Sequence, residues 1–267
     1  MRRRSFLAAA AAIVAATTAT PAGADLAEVK SRGRLRVLVM PDTRRPEFFA
    51  VAPGALPGFD HEMLKGFARM HGVELEVVPV GTWDALIPAL QEGKGDIVAG
   101  RFTATDSRKK LVDFTVEVFP TRNVVLTRKP HKVVATVAEL RAEKVGTIKG
   151  TSMAEAIAAA GVPSSNVDDG LAAGSFAEAL KAGRVTAAVW GVESAIAAQR
   201  EDPALQLGAF VGPPASLAWA VRKGEAQLLA ALNDYVSNMR KSPSWHRLVV
   251  KYFGEAAPEI LKKGRSE

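Results

Sequence analysis

From Arg34 to Phe114 the chain alternates between two hydrophobic periodicities, and this restricts the fold more than any other feature. Residues 34–39 alternate and then run apolar, as a first strand does. Gly58-Phe59-Asp60 opens a helix in which Asp60 is the expected cap and Met63, Leu64, Phe67 and Met70 the expected buried face, with Gly72 ending it. Residues 73–80 alternate as a second strand. Residues 83–91 then read as a short helix stopped by Gly93, and Ile97-Val98-Ala99, after Asp96, as a short buried strand. Strands and helices taken in turn predict an α/β layered domain with a mostly parallel sheet.

A second unit repeats this layout. Residues 123–127 form a strand ending at Lys129-Pro130, 137–143 a helix, 144–148 a strand, and Gly150-Thr151-Ser152 leads into an Ala-rich helix ending at Gly161. A helix over 175–182 capped by Ser175, a strand over 184–190 and a helix over 192–200 follow. The apolar run 215–221 returns the chain to the first unit, 225–241 and 244–253 are closing helices, and the Lys262-Lys263-Gly264-Arg265 tail is expected to fray. A short helix over 26–30 precedes everything. With 267 residues, 48% hydrophobic and 24% charged, the chain buries a sizeable core in one large or two smaller domains.

The first two dozen residues stand apart from that pattern. Arg2-Arg3-Arg4, an Ala-rich apolar run to about Ala16 and the small-x-small site Ala22-Gly23-Ala24 make an export signal, with a mature chain expected from near Asp25. Arg3-Arg4-Ser5-Phe6-Leu7 is also similar to a twin-arginine signal, although an ordinary signal carries several arginines too. The apolar run is shorter than the roughly 20 residues a membrane-spanning helix requires. Losing three arginines and no acids lowers the formal charge from +7 to +4, and without clustered basic and aromatic strips no nucleic-acid partner is expected. The absence of cysteine excludes disulfides, thiolate metal sites, a cysteine nucleophile and a lipidated cysteine anchor.

Within this frame the stretch 96–114 holds most of the chemistry. Thr103 and Thr105 offer hydroxyls and backbone N–H groups after a buried strand, and Arg108 lies one turn into a helix started by Thr105 or Asp106. A guanidinium there presents a planar fork to a carboxylate; a capped surface helix with a solvated Arg-Lys-Lys face is the competing reading. His61, His71, His131 and His246 lack metal-ligand spacing, and no GxSxG, Walker or GxGxxG pattern occurs, so neither a metal, a cofactor nor a catalytic residue is expected.

Five fragments now combine: Gly58-Phe59-Asp60; Trp83 followed by Leu86-Ile87-Pro88-Ala89-Leu90; Thr103-x-Thr105-x-x-Arg108-x-x-x-Val112-Asp113-Phe114; Lys149-Gly150-Thr151; and Tyr252-Phe253-Gly254. In this order and spacing the chain resembles type II periplasmic solute-binding proteins of the amino-acid-binding family 3, and its last quarter resembles the regulatory domains of membrane-bound lytic transglycosylases. The resemblance implies a two-lobed α/β fold with a ligand cleft between lobes joined by two crossover strands, near 123–128 and 215–221. Lobe 1 would comprise 25–124 and 217–267, and lobe 2 125–216. It further implies a periplasmic, monomeric protein that binds a small carboxylate-bearing ligand by lobe closure and presents it to an ABC permease. A non-transport envelope sensor would use the same cleft.

Carried over residue by residue, the carboxylate grip falls on Arg108, with Thr103 beside it and Thr151 and Ser152 donating N–H groups from the opposite lobe, as helix N-termini do. Trp83 falls where the family places an aromatic against the ligand; a core tryptophan is the competing reading. Arg44, Arg45 and Phe48 lie in a loop that often covers the ligand, and Phe48 is a candidate contact. The family's aspartate for the ligand's ammonium aligns with Gly191, and a small family position aligns with Arg101. Two readings follow. Either Arg101 and Arg108 together favour an anion without an α-amino group, or Arg101 faces solvent and Glu193 swings in for the missing aspartate. Cyclohexadienyl dehydratases share the fold and place a catalytic glutamate close to that aspartate, which makes Glu193 the one residue an enzymatic alternative would use.

Overall fold

A computed structural model describes residues 25–41, 47–50 and 56–265. The expected export signal and the loop arginines Arg44 and Arg45 lie outside the described residues. Asp25 caps helix α1 (Leu26–Arg32), which leads into β1 (Arg34–Val39). Helix α2 (Phe59–Met70), strand β2 (Glu74–Pro79), helix α3 (Leu86–Gln91) and strand β3 (Ile97–Val98) follow, and both strands pair parallel with β1. Helix α4 (Asp106–Lys109) and β4 (Val112–Phe114) complete this first pass.

The chain then enters a second sheet with β5 (Phe119–Arg128), α5 (Val137–Leu140), β6 (Val145–Gly146), α6 (Ser152–Ala159), β7 (Val167–Asp168), α7 (Phe176–Lys181), β8 (Ala187–Gly191), α8 (Val192–Glu201) and β9 (Leu205–Leu217). It returns through β10 (Ala220–Arg222) and ends in α9 (Ala226–Arg240), α10 (Pro243–Phe253) and α11 (Ala257–Arg265). The strand orders are β2-β1-β3-β10-β4 and β7-β6-β8-β5-β9, one sheet per lobe. In each sheet four of the five strands run the same way and one is reversed, β10 between β3 and β4 and β5 between β8 and β9, because each of these two strands carries the chain back between units.

The sheets exchange the chain between Phe114 and Phe119 and again between Leu217 and Ala220. The two passages are bonded to each other, Thr115 N–H donating to the Trp219 carbonyl at 2.9 Å and Val118 N–H to that of Leu217 at 2.9 Å. The division expected at 124/125 falls inside β5, which pairs with β9 along its length. Residues 262–265, expected to fray, end helix α11, which buries Ile260 and Gly264 while Lys262 and Arg265 are exposed and Lys263 half-buried, and which packs on β5, α8 and β9.

Several local expectations are corrected by competing partners. Helix α2 starts at Phe59, one residue before Asp60, because Gly58 at φ 101° turns the chain and the loop carbonyls of Glu47 and Phe48 take the first N–H groups at 2.7 and 3.0 Å. Asp60 is thus released from capping and points inward, whereas Met70, expected in the buried face, is 59% exposed at the helix end. Ser175 caps α7 by position only, since its hydroxyl donates to the Ala172 carbonyl at 2.8 Å. Phe48 does not cover the cleft: it joins a ring cluster with Phe59, Phe119 and Phe253, centroids 5.3–6.0 Å apart from its own, which removes a large apolar side chain from water.

Candidate functional site

Three strand-to-helix turns converge between the sheets. From the first lobe comes 99–108, where Thr105 caps α4 by accepting from the Arg108 N–H at 3.4 Å. The second lobe supplies the turn into α6, where Thr151 accepts from Ala154 N–H at 3.3 Å and donates to the Ile148 carbonyl at 2.6 Å, and the turn from β8 into α8 at Gly191. At the first two turns a threonine cap takes up one N–H of the helix start, while Gly191 offers no side chain to cap α8.

Arg101, Thr103, Arg108, Thr151, Ser152, Trp83 and Glu193 all line one small cavity there, joined by Thr121, Asn123 and Gly191. Its volume is about 30 Å³, enough for water and too little for an organic acid. A wider groove of about 910 Å³ shares Thr103, Asn123 and Ser152 with it and runs past α4, α6 and the 211–216 part of β9.

Arg108 sits at the centre of the contact between lobes. Only 6% exposed, its guanidinium donates from Nη1 to the Thr103 carbonyl at 2.9 Å and from Nη2 to the Gly150 carbonyl of the other lobe at 2.9 Å, and lies 4.1 Å over the Phe102 ring. Burial lowers its pKa to about 10, against the pull of Glu155 and Asp84, so it stays charged at neutral pH. Three further bonds span the lobes: Thr103 Oγ1 with Ser152 Oγ at 3.0 Å, Ser107 Oγ donating to Glu155 Oε1 at 2.8 Å, and Arg101 Nη1 donating to Ser194 Oγ at 3.0 Å. Trp83, in the turn before α3, packs with Leu38, Leu86 and Phe102 in the core and also lines the cavity.

Glu193 is buried and accepts from Thr121 Oγ1 at 2.6 Å. Burial raises its pKa, opposed by the Thr121 bond and the Arg101 charge, with Glu47 acting the other way. Its carboxyl folds back over Gly191: a Cβ at 191 would lie 2.3 Å from Glu193 Oε1 and 2.9 Å from its carboxyl carbon. The space a side chain at 191 would take is therefore filled by the side chain from 193. Arg101 does not simply face solvent, for it lines the cavity and bonds Ser194.

Asp60 supports this corner from behind. Its Oδ2 accepts from the Gly100 N–H at 2.9 Å, and Gly100 (φ 83°) and Arg101 (φ 63°) both occupy the left-handed region, Arg101 as the one non-glycine to do so among the described residues. Burial lifts the Asp60 carboxyl from 3.8 to about 6 despite that bond. Between about pH 4 and 6 the folded protein thus holds a proton the unfolded chain has lost, so ionisation of Asp60 lowers stability as pH rises through that window, by at most about 3 kcal/mol. Asp60→Asn stays neutral and can still accept from Gly100. Its stability relative to the parent protein is expected to rise from pH 4 to pH 7 in chemical denaturation, and a difference independent of pH would refute the titration.

Thr121 and Asn123 join the cavity with no motif to mark them; the signal for them is a polar Thr121-Arg122-Asn123 step that interrupts the apolar residues of strand β5. Among the described residues no three His, Asp or Glu side chains come together as a metal site, and no helix is long and apolar enough to cross a membrane.

Residues 35–255 match the profile of the bacterial extracellular solute-binding proteins, family 3. The L-cystine-binding protein TcyJ of Escherichia coli is 29% identical over 233 residues, covering 86% of each chain. A membrane-bound lytic murein transglycosylase F from Desulfosudis oleivorans is 26% identical over 230 residues, covering 85% of this chain, which spans only 50% of the transglycosylase's length. The structure is similar to that of the P235GK mutant of ArgBP from T. maritima, with a TM-score of 0.78 and 31% identity over 86% of this chain and 99% of the other.

Proposed function

We infer that this chain, which belongs to the bacterial extracellular solute-binding proteins of family 3, works by binding rather than catalysis. It takes a small carboxylate-bearing, amino-acid-like ligand between its lobes, outside the cytoplasmic membrane, and presents the closed form to an ABC-type permease. The carrying observation is Arg108: a buried guanidinium that bonds one lobe through Thr103 and the other through Gly150, at a cavity edged by two helix starts. A ligand carboxylate brought to this point exchanges carbonyl partners for a charged one, and charge-assisted bonds are the stronger kind. Because the ligand meets both lobes only when they are together, its binding favours the closed form by the difference in contacts.

Thermal-shift and calorimetric screens of amino acids, dicarboxylates, oxo acids and wall peptides test this reading. At least one small acid is expected to raise the melting temperature with a saturable dose response. No response from any carboxylate would overturn the reading. Binding of wall peptides alone would favour an envelope sensor, a reading supported by the similarity to a murein transglycosylase.

A further inference from the structure

Three features of the corner opposite Arg108 point the same way. The first is the exchange at 191 and 193: Gly191 is bare so that the Glu193 carboxyl can lie over it, and any Cβ at 191 would collide with that carboxyl. Among the described residues lining the cavity Glu193 alone carries a carboxyl, with Thr121 donating to it at 2.6 Å. The second is the cation already beside that pole. Arg101 reaches from the first lobe, donates to Ser194, the residue after Glu193, and lines the same cavity; its charge opposes the effect of burial on the Glu193 carboxyl, while Glu47 nearby has the opposite effect. The third is the backbone that holds Arg101 there, a left-handed pair at Gly100 and Arg101 fixed by the buried Asp60. A non-glycine backbone held at φ 63° beside a buried carboxyl is the kind of strain that clusters at functional sites.

We propose that Arg101 is a built-in counter-cation for Glu193, so that the cleft selects a small carboxylate whose α-carbon carries no ammonium, a 2-oxo or 2-hydroxy acid, over the matching α-amino acid. This rests on the carboxylate-binding reading of Arg108. A ligand carboxylate would take Arg108 in exchange for its carbonyl partners, whereas an α-ammonium would lie beside the Arg101 guanidinium that bonds Ser194 and compete with it for Glu193. Two cations at one buried carboxylate leave one of them undercompensated, which is costly away from water. A keto or hydroxyl oxygen, by contrast, accepts from a donor already lining the cavity, the Asn123 amide, which has two N–H groups.

The test is calorimetric titration of the purified protein with matched sets: pyruvate, lactate and alanine; 2-oxoglutarate, 2-hydroxyglutarate and glutamate; 4-methyl-2-oxopentanoate and leucine. The oxo or hydroxy member of the set that binds is expected to exceed its amino counterpart by at least about tenfold. Arg101→Gly, which suits the left-handed backbone, is expected to reverse that order, and Arg101→Lys to keep it. Melting curves establish that both variants fold. Tighter binding of the amino acid by the parent protein overturns the inference while leaving the carboxylate reading intact. Equal loss for oxo and amino acids in Arg101→Gly also overturns it, since Arg101 would then be merely structural. No binding by any acid overturns the underlying reading and the inference with it.

Discussion

Replacing Arg108 with alanine is expected to weaken binding of the carboxylate ligand by about 2–5 kcal/mol, or roughly 30- to 5,000-fold in dissociation constant. The size follows from burial. Arg108 is 6% exposed, and a carboxylate brought against it is removed from water; with the guanidinium gone, that charge has lost its partner. The variant also uncovers the carbonyls of Thr103 and Gly150, which now receive its two N–H bonds. Arg108→Lys separates charge from geometry, because an ammonium cannot serve both carbonyls or a carboxylate as a planar fork does, and it should recover only part of the loss. Unchanged affinity in Arg108→Ala, measured by calorimetry, would remove Arg108 from the site.

The second large effect lies behind the site. Asp96 is fully buried at the start of β3 and accepts from Arg32 Nη2 at 2.6 Å, Arg36 Nη2 at 2.8 Å and the Arg36 backbone N–H at 2.8 Å. It thereby pins the strand that delivers Gly100 and Arg101 to α1 and β1. Asp96→Ala strands two half-buried guanidinium groups and a backbone donor, and removal of one member of a buried ion pair typically costs 3–5 kcal/mol. Both arginines retain about a quarter of their side-chain exposure and can partly rehydrate, so about 3 kcal/mol is expected. Urea denaturation should show a lower midpoint at unchanged slope. A loss under about 1 kcal/mol would mean that the arginines recover their hydration fully.

How far the sequence reached depended on whether the deciding partner was near in the chain. Thr103, Thr105, Arg108, Thr151 and Ser152 were legible because strand, cap and first helical turn are local events, and the cavity gathers Thr103, Arg108, Thr151 and Ser152. Glu193 and Gly191 were legible as residues but not as a pair, since only the backbone at 191 shows that one side chain fills the other's space. Phe48 read as a loop residue because its neighbours in sequence are Pro and Gly; its actual neighbours, Phe119 and Phe253, are far along the chain. Asp60 and the lysine-rich end failed for the same reason. The loop at 47–48 took over capping from Asp60, and Ile260 and Gly264, spaced as one helical face, found β5 and α8 to rest on.

Helix α11 changes the mechanics of any motion between lobes. It follows α10, whose Trp245 and Phe253 belong to the first lobe's ring cluster, yet it rests on β5, α8 and β9 of the second. At Gly264 it approaches the Pro120 carbonyl so closely that a Cβ there would be 3.0 Å from it. The polypeptide therefore bridges the lobes three times, and the short turn Gly254–Ala256, with Gly254 at φ 54°, is the third articulation. In the proposed lobe closure this third connection would turn together with the two bonded strands, as a door on three pins, and stiffening the turn at Gly254 should slow that swing while leaving every residue of the cleft in place.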